Sequence, residues 1–349
     1  MQTSRSKPKP ALKASKTPPG ELALLQAIRA RAGNSGSVKT KSRVQLGIGD
    51  DCALLRPRAG EELAVTTDLS IQGRHFRLDW HPPESVGHRT LARGLSDLAA
   101  MGARPVAAFL SLGLPRELTL AQGKSAAWVT RFLDGLLALA AEHQVPLAGG
   151  DLAESPIAIA DIVLTGSVPQ GKALLRSGAL PGDRIYVTGS LGGAAAELVA
   201  LEKSPTSFAA AKVGGKPSPH LYPQPRVAQG LWLRKRGLAS AAMDLSDGLS
   251  TDLAHLCEES GVAAEVDAAA LPLGPGATLE MALHGGEDYE LLFTAPEMAK
   301  IPYRIAGVAV SAIGRIVAQK ARKARVVLLF ESGSQPLHAQ GWEHFSQKR

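Results

Sequence analysis

The sequence predicts an α/β (α+β) chain of two domains, on three observations. Its 349 residues favour two domains over one. Short apolar runs rich in Val, Ile and Leu alternate with segments of helical period. Turns carrying Gly and Asp recur where predicted elements end, the places where α/β folds gather ligands.

Composition narrows the function. Apolar residues are ample for a buried core, and aromatics, at 4%, are too scarce for a platform that stacks single-stranded nucleic acid. Of the net charge of +7, five units sit on Arg5, Lys7, Lys9, Lys13 and Lys16, so the body is nearly neutral and a nucleic-acid partner is disfavoured. Residues 1–19 read as a disordered basic tail, 20–170 as a first domain and 171–349 as a second, with the boundary near residues 172–176. The two cysteines, Cys52 and Cys257, form no zinc-like spacing and fit a reducing, cytoplasmic setting, although they could pair. No uncharged apolar run is long enough to cross a bilayer, and the N-terminus lacks the apolar core of a signal peptide.

Residues 21–32 place Leu22, Leu25, Ala27 and Ile28 at helical spacing, with Gly33 as a stop. In Gly47-Ile48-Gly49-Asp50-Asp51, small residues permit close backbone approach, and adjacent carboxylates repel unless a cation or donors offset them. Alone, the stretch reads first as an acidic surface turn and second as a metal–phosphate site. Residues 52–55 and 63–65 read as strands of one hairpin-like unit, with Asp68 of Thr66-Thr67-Asp68 at a strand end. In Gly73-Arg74-His75-Phe76, His75 stands where it can meet an anion, although a lone histidine is more often structural.

Residues 83–101 form a helix with Leu91, Leu95 and Leu98 on one stripe and Gly102 as its stop. Asp97 lies off that stripe near the C-terminus, where a carboxylate opposes the helix dipole. Arg93, four residues earlier, is a ready ion-pair partner, so pairing and function weigh equally for Asp97. A strand over 106–112 precedes a long helix over 119–143. Gly123-Lys124-Ser125 mimics the end of a P-loop, but Leu118 stands where that motif needs glycine, so it is rejected. A strand over 145–148 ends in Gly149-Gly150-Asp151, and 157–168 is another strand.

In the second half, strand 184–188 leads through Gly189-Ser190-Leu191-Gly192-Gly193 to a helix over 194–201. Such a loop can hold phosphate, but close helix–strand packing explains its glycines more simply. A Pro-, Gly- and Ser-rich loop covers 202–225, and 226–236 is helical. Strand 240–243 ends in Asp244-Leu245-Ser246-Asp247-Gly248 before a helix to 259. Asp244 or Ser246 would serve as N-cap, yet a cap needs one such side chain and this turn has three. Gly285-Gly286-Glu287-Asp288-Tyr289-Glu290 precedes strand 291–293; strands over 313–317 and 326–330 and a tail with Trp342 follow.

Asp51, Asp68, Asp97, Asp151, Asp244 and Asp247 thus each lie near the end of an element, mostly beside Gly, Ser or Thr. Carboxylates converge when cations hold them. Aspartates and hydroxyls without a Cys/His set suit Mg2+, which bridges carboxylates to substrate phosphates. The constellation therefore points to magnesium-dependent phosphoryl chemistry without a P-loop.

These stretches occur in an order that resembles the thiamine-monophosphate kinase family, of the superfamily that includes aminoimidazole ribonucleotide synthetase and selenophosphate synthetase. The likeness covers about residues 20–349, and Ser96-Asp97-Leu98-Ala99-Ala100-Met101-Gly102-Ala103 and Gly286-Glu287-Asp288-Tyr289-Glu290-Leu291 are its most specific parts. The resemblance implies a homodimer whose N-terminal domains form a dimer-spanning β-barrel. It implies ATP as co-substrate, its γ-phosphate passing to thiamine monophosphate to complete thiamine diphosphate biosynthesis. Carried over by position, Asp51, Thr66, Thr67, Asp68, Asp97, Asp151, Asp244 and Asp247 would hold several Mg2+ ions. Gly150, Asp151, Arg176 and Ser246 would contact ATP, and His75, Glu287 and Trp342 the thiamine substrate. Gly94 stands where the family often has Asn, Leu152 replaces a usual Thr, and Gln72 and Arg74 alter the loop before His75. No side chain is expected as nucleophile or base, because a phosphate monoester, with a second pKa of about 6, is already mostly ionised. The alternatives are another ATP-dependent synthetase of the selenophosphate synthetase type and a non-catalytic nucleotide- or nucleic-acid-binding protein that uses the basic tail. Cys52 lies in a predicted strand rather than in a glycine-rich loop, which disfavours the former.

Overall fold

The computed structural model describes residues 21–34, 43–121, 126–204, 218–320 and 324–342. The predicted tail 1–19, the P-loop-like triplet 123–125 and most of the loop 202–225 lie outside the described residues.

The first half builds an open four-stranded sheet, β3 (Glu61–Ile71), β6 (Ile159–Pro169), β4 (Arg104–Leu114) and β5 (Leu147–Glu154) in spatial order, with only β4 and β5 parallel. β1 (Val44–Leu46) pairs with β2 (Leu54–Leu55) apart from it. Helices α1 (Glu21–Asn34), α2 (Pro83–Ala100) and α3 (Trp128–Glu142) complete this half. Pro83 opens α2 where a missing N–H costs nothing. Leu91, Leu95 and Leu98 are all buried, as their stripe predicts. α2 and α3 meet backbone to backbone: a Cβ at Gly87 would fall 1.9 Å from the Phe132 carbonyl oxygen, and one at Gly135 1.8 Å from that of Glu84.

The second half builds an eight-stranded sheet. Its path runs β14 (Gly333–Pro336), β13 (Val326–Phe330), β9 (Ala263–Asp267), β12 (Val308–Val317), β7 (Arg184–Thr188), β10 (Glu290–Ala295) and β8 (Ala241–Leu245), with β11 (Arg304–Ile305) on β12. Helices α4 (Gly193–Lys203), α5 (Val227–Arg236), α6 (Leu249–Glu259) and α7 (Leu279–His284) surround it. One buried cluster runs from Leu91 and Leu95 of α2 through Ala242 of β8 to Leu291 and Phe293 of β10. α2 thereby lies against both sheets and brings its last turn to the edge strand β8.

Several expectations are corrected. β2 does not form a hairpin with β3; it pairs with β1, while β6 matches β3 along the whole of its length. A two-residue strand cannot satisfy the backbone of an eleven-residue one. Asp68 and Asp151 lie inside their strands, because β3 continues to Ile71 and β5 to Glu154. α3 begins at Trp128, after a separate 3-10 turn over Arg116–Thr119. Strand alternation also divides Thr66-Thr67-Asp68. Thr66 and Asp68 turn toward α2, whereas Thr67 shares the exposed face of β3 with Leu63, Val65 and Leu69. Gly94 admits close contact between α2 and β6, for a Cβ there would come 2.6 Å from Leu164 Cδ1. Gln72 ties its loop to β6, its side-chain oxygen accepting from Ala158 N at 2.9 Å. Both cysteines are free, Cys52 exposed and Cys257 buried.

Candidate active site

A cavity of about 510 Å3 opens between the loop after β3, the end of α2 and the loops that follow β8 and precede β10. Eight expected residues line it: Asp68, His75, Asp97, Asp244, Ser246, Asp247, Glu287 and Trp342. Arg93, Trp80, His81, His220 and Tyr289 line it too.

Its acidic side is assembled by α2. Ser96 donates to Asp244 Oδ2 at 2.8 Å, which docks the helix on β8, and the Thr66 hydroxyl donates to Asp97. Burial raises the pKa of both Asp97 and Asp244, and the Asp97 charge raises Asp244 further; Arg176 opposes both shifts. Burial lifts Asp68 to about 6, against the pull of Arg93, with Asp97 and Glu287 adding to the rise. Arg93 pairs with Asp68 across on β3, at 2.9 Å, rather than with Asp97 on its own helix.

The turn after β8 is not capped by Asp244 or Ser246. Gly248 is the N-cap residue, and Asp252 inside α6 accepts from the backbone N–H of Asp247 and Gly248 at 3.1 and 3.0 Å. This leaves the Asp244 and Ser246 side chains to the cavity. The loop before β10 uses four consecutive side chains in four directions. Glu287 and Tyr289 hold left-handed backbone, φ 67° and 49°, and their N–H groups bond the carbonyls of Ser246 and Leu245, both at 2.8 Å. Glu287 enters the cavity wall and Tyr289 packs into it. Asp288 accepts from Gly192 N at 2.6 Å and Ala194 N at 3.3 Å. The start of α4 is therefore met by a carboxylate of the chain itself, which explains its glycine loop without a phosphate. Glu290 binds Arg226 at 2.5 Å and accepts from Thr188 at 2.7 Å.

Glu287 is held between Arg89 Nη2, 2.5 Å from Oε1, and His220 Nδ1, 3.1 Å from Oε2. Burial pushes its pKa up, but Arg89, His220 and Arg93 outweigh this and hold it well below the usual carboxylate range. Arg89 Nη1 also donates to His220 Nε2 at 2.6 Å, and His81 Nε2 lies 3.0 Å from that nitrogen. Burial, with Arg89 and His220, lowers His81 to about 3, and burial and Arg89 lower His220, so both rings are neutral near pH 7. Arg89 and Arg93 share a face of α2 by their spacing of four, a signal present in the sequence; the proline-rich surroundings of His220 carry none.

Other predicted residues stand elsewhere. Asp51 is exposed in a turn where its N–H is held by Asp50 Oδ1 at 2.9 Å. Thr67 lies on the outer face of β3, and Gly150 and Asp151 are exposed on the edge strand β5. Arg176 does not line the cavity, but its charge acts on Asp97 and Asp244. Among the described residues, no group of three or more His, Cys, Asp or Glu is arranged to hold a metal ion.

Residues 49–168 match the N-terminal domain, and residues 181–327 the C-terminal domain, of AIR synthase related proteins. The chain is 40% identical over 317 residues to thiamine-monophosphate kinase of Escherichia coli strain K12, covering 87% of this chain and 93% of that one. The solved thiamine-monophosphate kinase of Stenotrophomonas maltophilia K279a superposes with a TM-score of 0.70 at 37% identity, covering 88% of this chain and 96% of that one. A structure described as AaThiL complexed with AMPPCP and TMP superposes with a TM-score of 0.68 at 30% identity, over 93% and 97% of the two chains. In its two matched domains, in its sequence and in the arrangement of its sheets, the chain belongs to the thiamine-monophosphate kinases, within the AIR synthase related family.

Proposed function

We propose that this protein transfers the γ-phosphoryl group of ATP to the phosphate of thiamine monophosphate, giving thiamine diphosphate and ADP. One observation carries the reading: a single cavity gathers Asp68, Asp97, Asp244 and Asp247 with His75, Glu287 and Trp342. A relative whose solved form holds AMPPCP and TMP supports both substrates.

In the transfer, an oxygen of the acceptor phosphate bonds to the γ-phosphorus of ATP as the bond to the β–γ bridging oxygen breaks, and ADP leaves with that electron pair. The acceptor is ionised at neutral pH and needs no base, so the chain's task is to bring two anions together and align them. The donor set fits Mg2+ in its chemistry, being all carboxylate and hydroxyl oxygen. The raised pKa values of Asp68, Asp97 and Asp244 express burial of the carboxylates first, with neighbouring acids adding to the rise at Asp68 and Asp244, a cost that a divalent cation would offset. Asp97, Asp244, Asp247 and Thr66 would hold such ions, whose chemistry is to neutralise the phosphate oxygens, with Asp68 beside them. Arg176 would add fixed positive charge behind Asp97 and Asp244. Glu287, kept ionised by Arg89 and His220, suits the cationic ring of thiamine, and Trp342 adds an aromatic side chain to the same lining.

Asp51, Thr67, Gly150 and Asp151 take part in this reading through a second copy of the chain. Leu63, Val65 and Leu69 expose an apolar row on the face of β3 that also carries Thr67, which supports a homodimer closed over this sheet as a dimer-spanning barrel. No helix among the described residues is long and apolar enough to cross a membrane, and the proposed setting is the cytoplasm. The test is an assay of ATP and thiamine monophosphate with and without Mg2+. Thiamine diphosphate formed only with the metal is the expected result; folded protein that makes none overturns the reading.

A further inference from the structure

Asp68 is an expected magnesium ligand, yet it already has a cation. Arg93 Nη2 lies 2.9 Å from Asp68 Oδ1, and Arg93 Nη1 donates to Ser70 Oγ at 3.2 Å. The two side chains are only 14% and 21% exposed, and both line the cavity. A guanidinium keeps its charge at any working pH, so this cation cannot be titrated away. It is also fixed in place: Arg93 stands on α2, whose residues Ala92 and Leu95 are fully buried, and Asp68 and Ser70 stand on β3, which β6 pairs along its whole length.

We propose that Arg93 is a built-in cation of this cavity that takes the place of one divalent ion at Asp68, so that the loaded site holds one ion fewer than it would with a neutral residue there. The inference rests on the kinase reading for the presence of the other ions. A guanidinium meets both requirements that an ion would meet at this point. It neutralises Asp68, and it places a fixed positive charge in the cavity lining for a phosphate oxygen. A divalent ion on the other Asp68 oxygen would stand within a few ångströms of that guanidinium and be repelled by it.

The test counts metal ions and needs no turnover. Mn2+ bound per chain is measured by electron paramagnetic resonance on the full chain with saturating AMPPCP and thiamine monophosphate. Arg93→Met is expected to bind one more Mn2+ per chain than the wild type, Arg93→Lys to keep the wild-type number, and Arg93→Met with Asp68→Asn to lose the extra ion. A folded Arg93→Met chain with the wild-type number overturns the proposal. Should Arg93→Met fail to fold, Asp68→Asn alone decides: an unchanged number upholds the proposal and a loss of one ion overturns it. An extra ion in Arg93→Met together with a wild-type chain that makes no thiamine diphosphate upholds the cation exchange and overturns the kinase reading.

Discussion

Arg89 and Glu287 meet at 2.5 Å behind the cavity wall, one from the middle of α2 and the other from the strained loop before β10. The arginine is almost fully buried and the glutamate side chain is about a quarter exposed, 4% and 26%. The contact joins the two halves of the chain at the place where the thiamine substrate is expected. Removing either partner therefore has different consequences. Arg89→Met leaves a partly buried carboxylate beside His220 alone and is expected to cost about 2–3 kcal/mol of stability, seen in denaturant unfolding. Glu287→Gln, which leaves the more deeply buried Arg89 without its carboxylate, is expected to cost about as much stability and in addition to raise the KM for thiamine monophosphate about tenfold, with the KM for ATP unchanged. Equal rises in both KM values would contradict the assignment of Glu287 to the thiamine end.

Asp97→Asn and Asp244→Asn relieve buried charge while removing oxygens that the transfer needs. Each is expected to lower kcat by about a hundredfold or more, with thermal stability at pH 8 equal to or above that of the wild type. Activity lost together with stability would make these residues structural.

Asp288 caps α4 from a buried position, and burial raises its carboxyl to about 7 despite the Gly192 and Ala194 bonds. Its folded-state pKa lies above the unfolded value of 3.8, so its contribution to stability is fully present below that value and is lost as pH rises through about 7. An asparagine does not titrate. The stability of Asp288→Asn relative to the wild type is therefore expected to improve by about 2–3 kcal/mol between pH 5 and pH 8, read from paired melts. A difference independent of pH would show that the carboxyl does not titrate in this range.

Val65 is 62% exposed in the apolar row of β3. Val65→Asp places a charge on that face without touching the cavity, and is expected to convert a dimer to monomers in light scattering at micromolar concentration. A wild-type monomer, or a Val65→Asp dimer, removes this face from the interface.

The approach of α2 to α3 leaves no room at Gly87, where a Cβ would stand 1.9 Å from a carbonyl oxygen. Gly87→Ala is expected to force the helices apart and cost about 3 kcal/mol or more by chemical denaturation, the reverse of the usual gain of alanine in a helix.

By itself, the sequence determined the local elements and the family. α2 starts at Pro83 and buries Leu91, Leu95 and Leu98 because periodicity and capping act over three or four residues. The limits of β7 and β13 likewise follow from short apolar runs and their flanking turns. The order of the glycine–aspartate stretches identified the relatives, and seven residues named from those stretches, with Trp342 of the tail, line one cavity. Tertiary structure alone decided which partner each charge takes. Arg93 bypasses Asp97 on its own helix for Asp68 on β3, and Arg89 finds Glu287 at a separation of 198 residues. Asp252 and Asp288 close helix starts that Asp244, Ser246 or a phosphate were candidates to meet. Thr66 faces the cavity side and Thr67 the outer face only because β3 takes one register on β6. Such choices depend on how α2 seats between two sheets, and the burial that fixes that seat involves side chains far apart in the chain, beyond the reach of any local pattern.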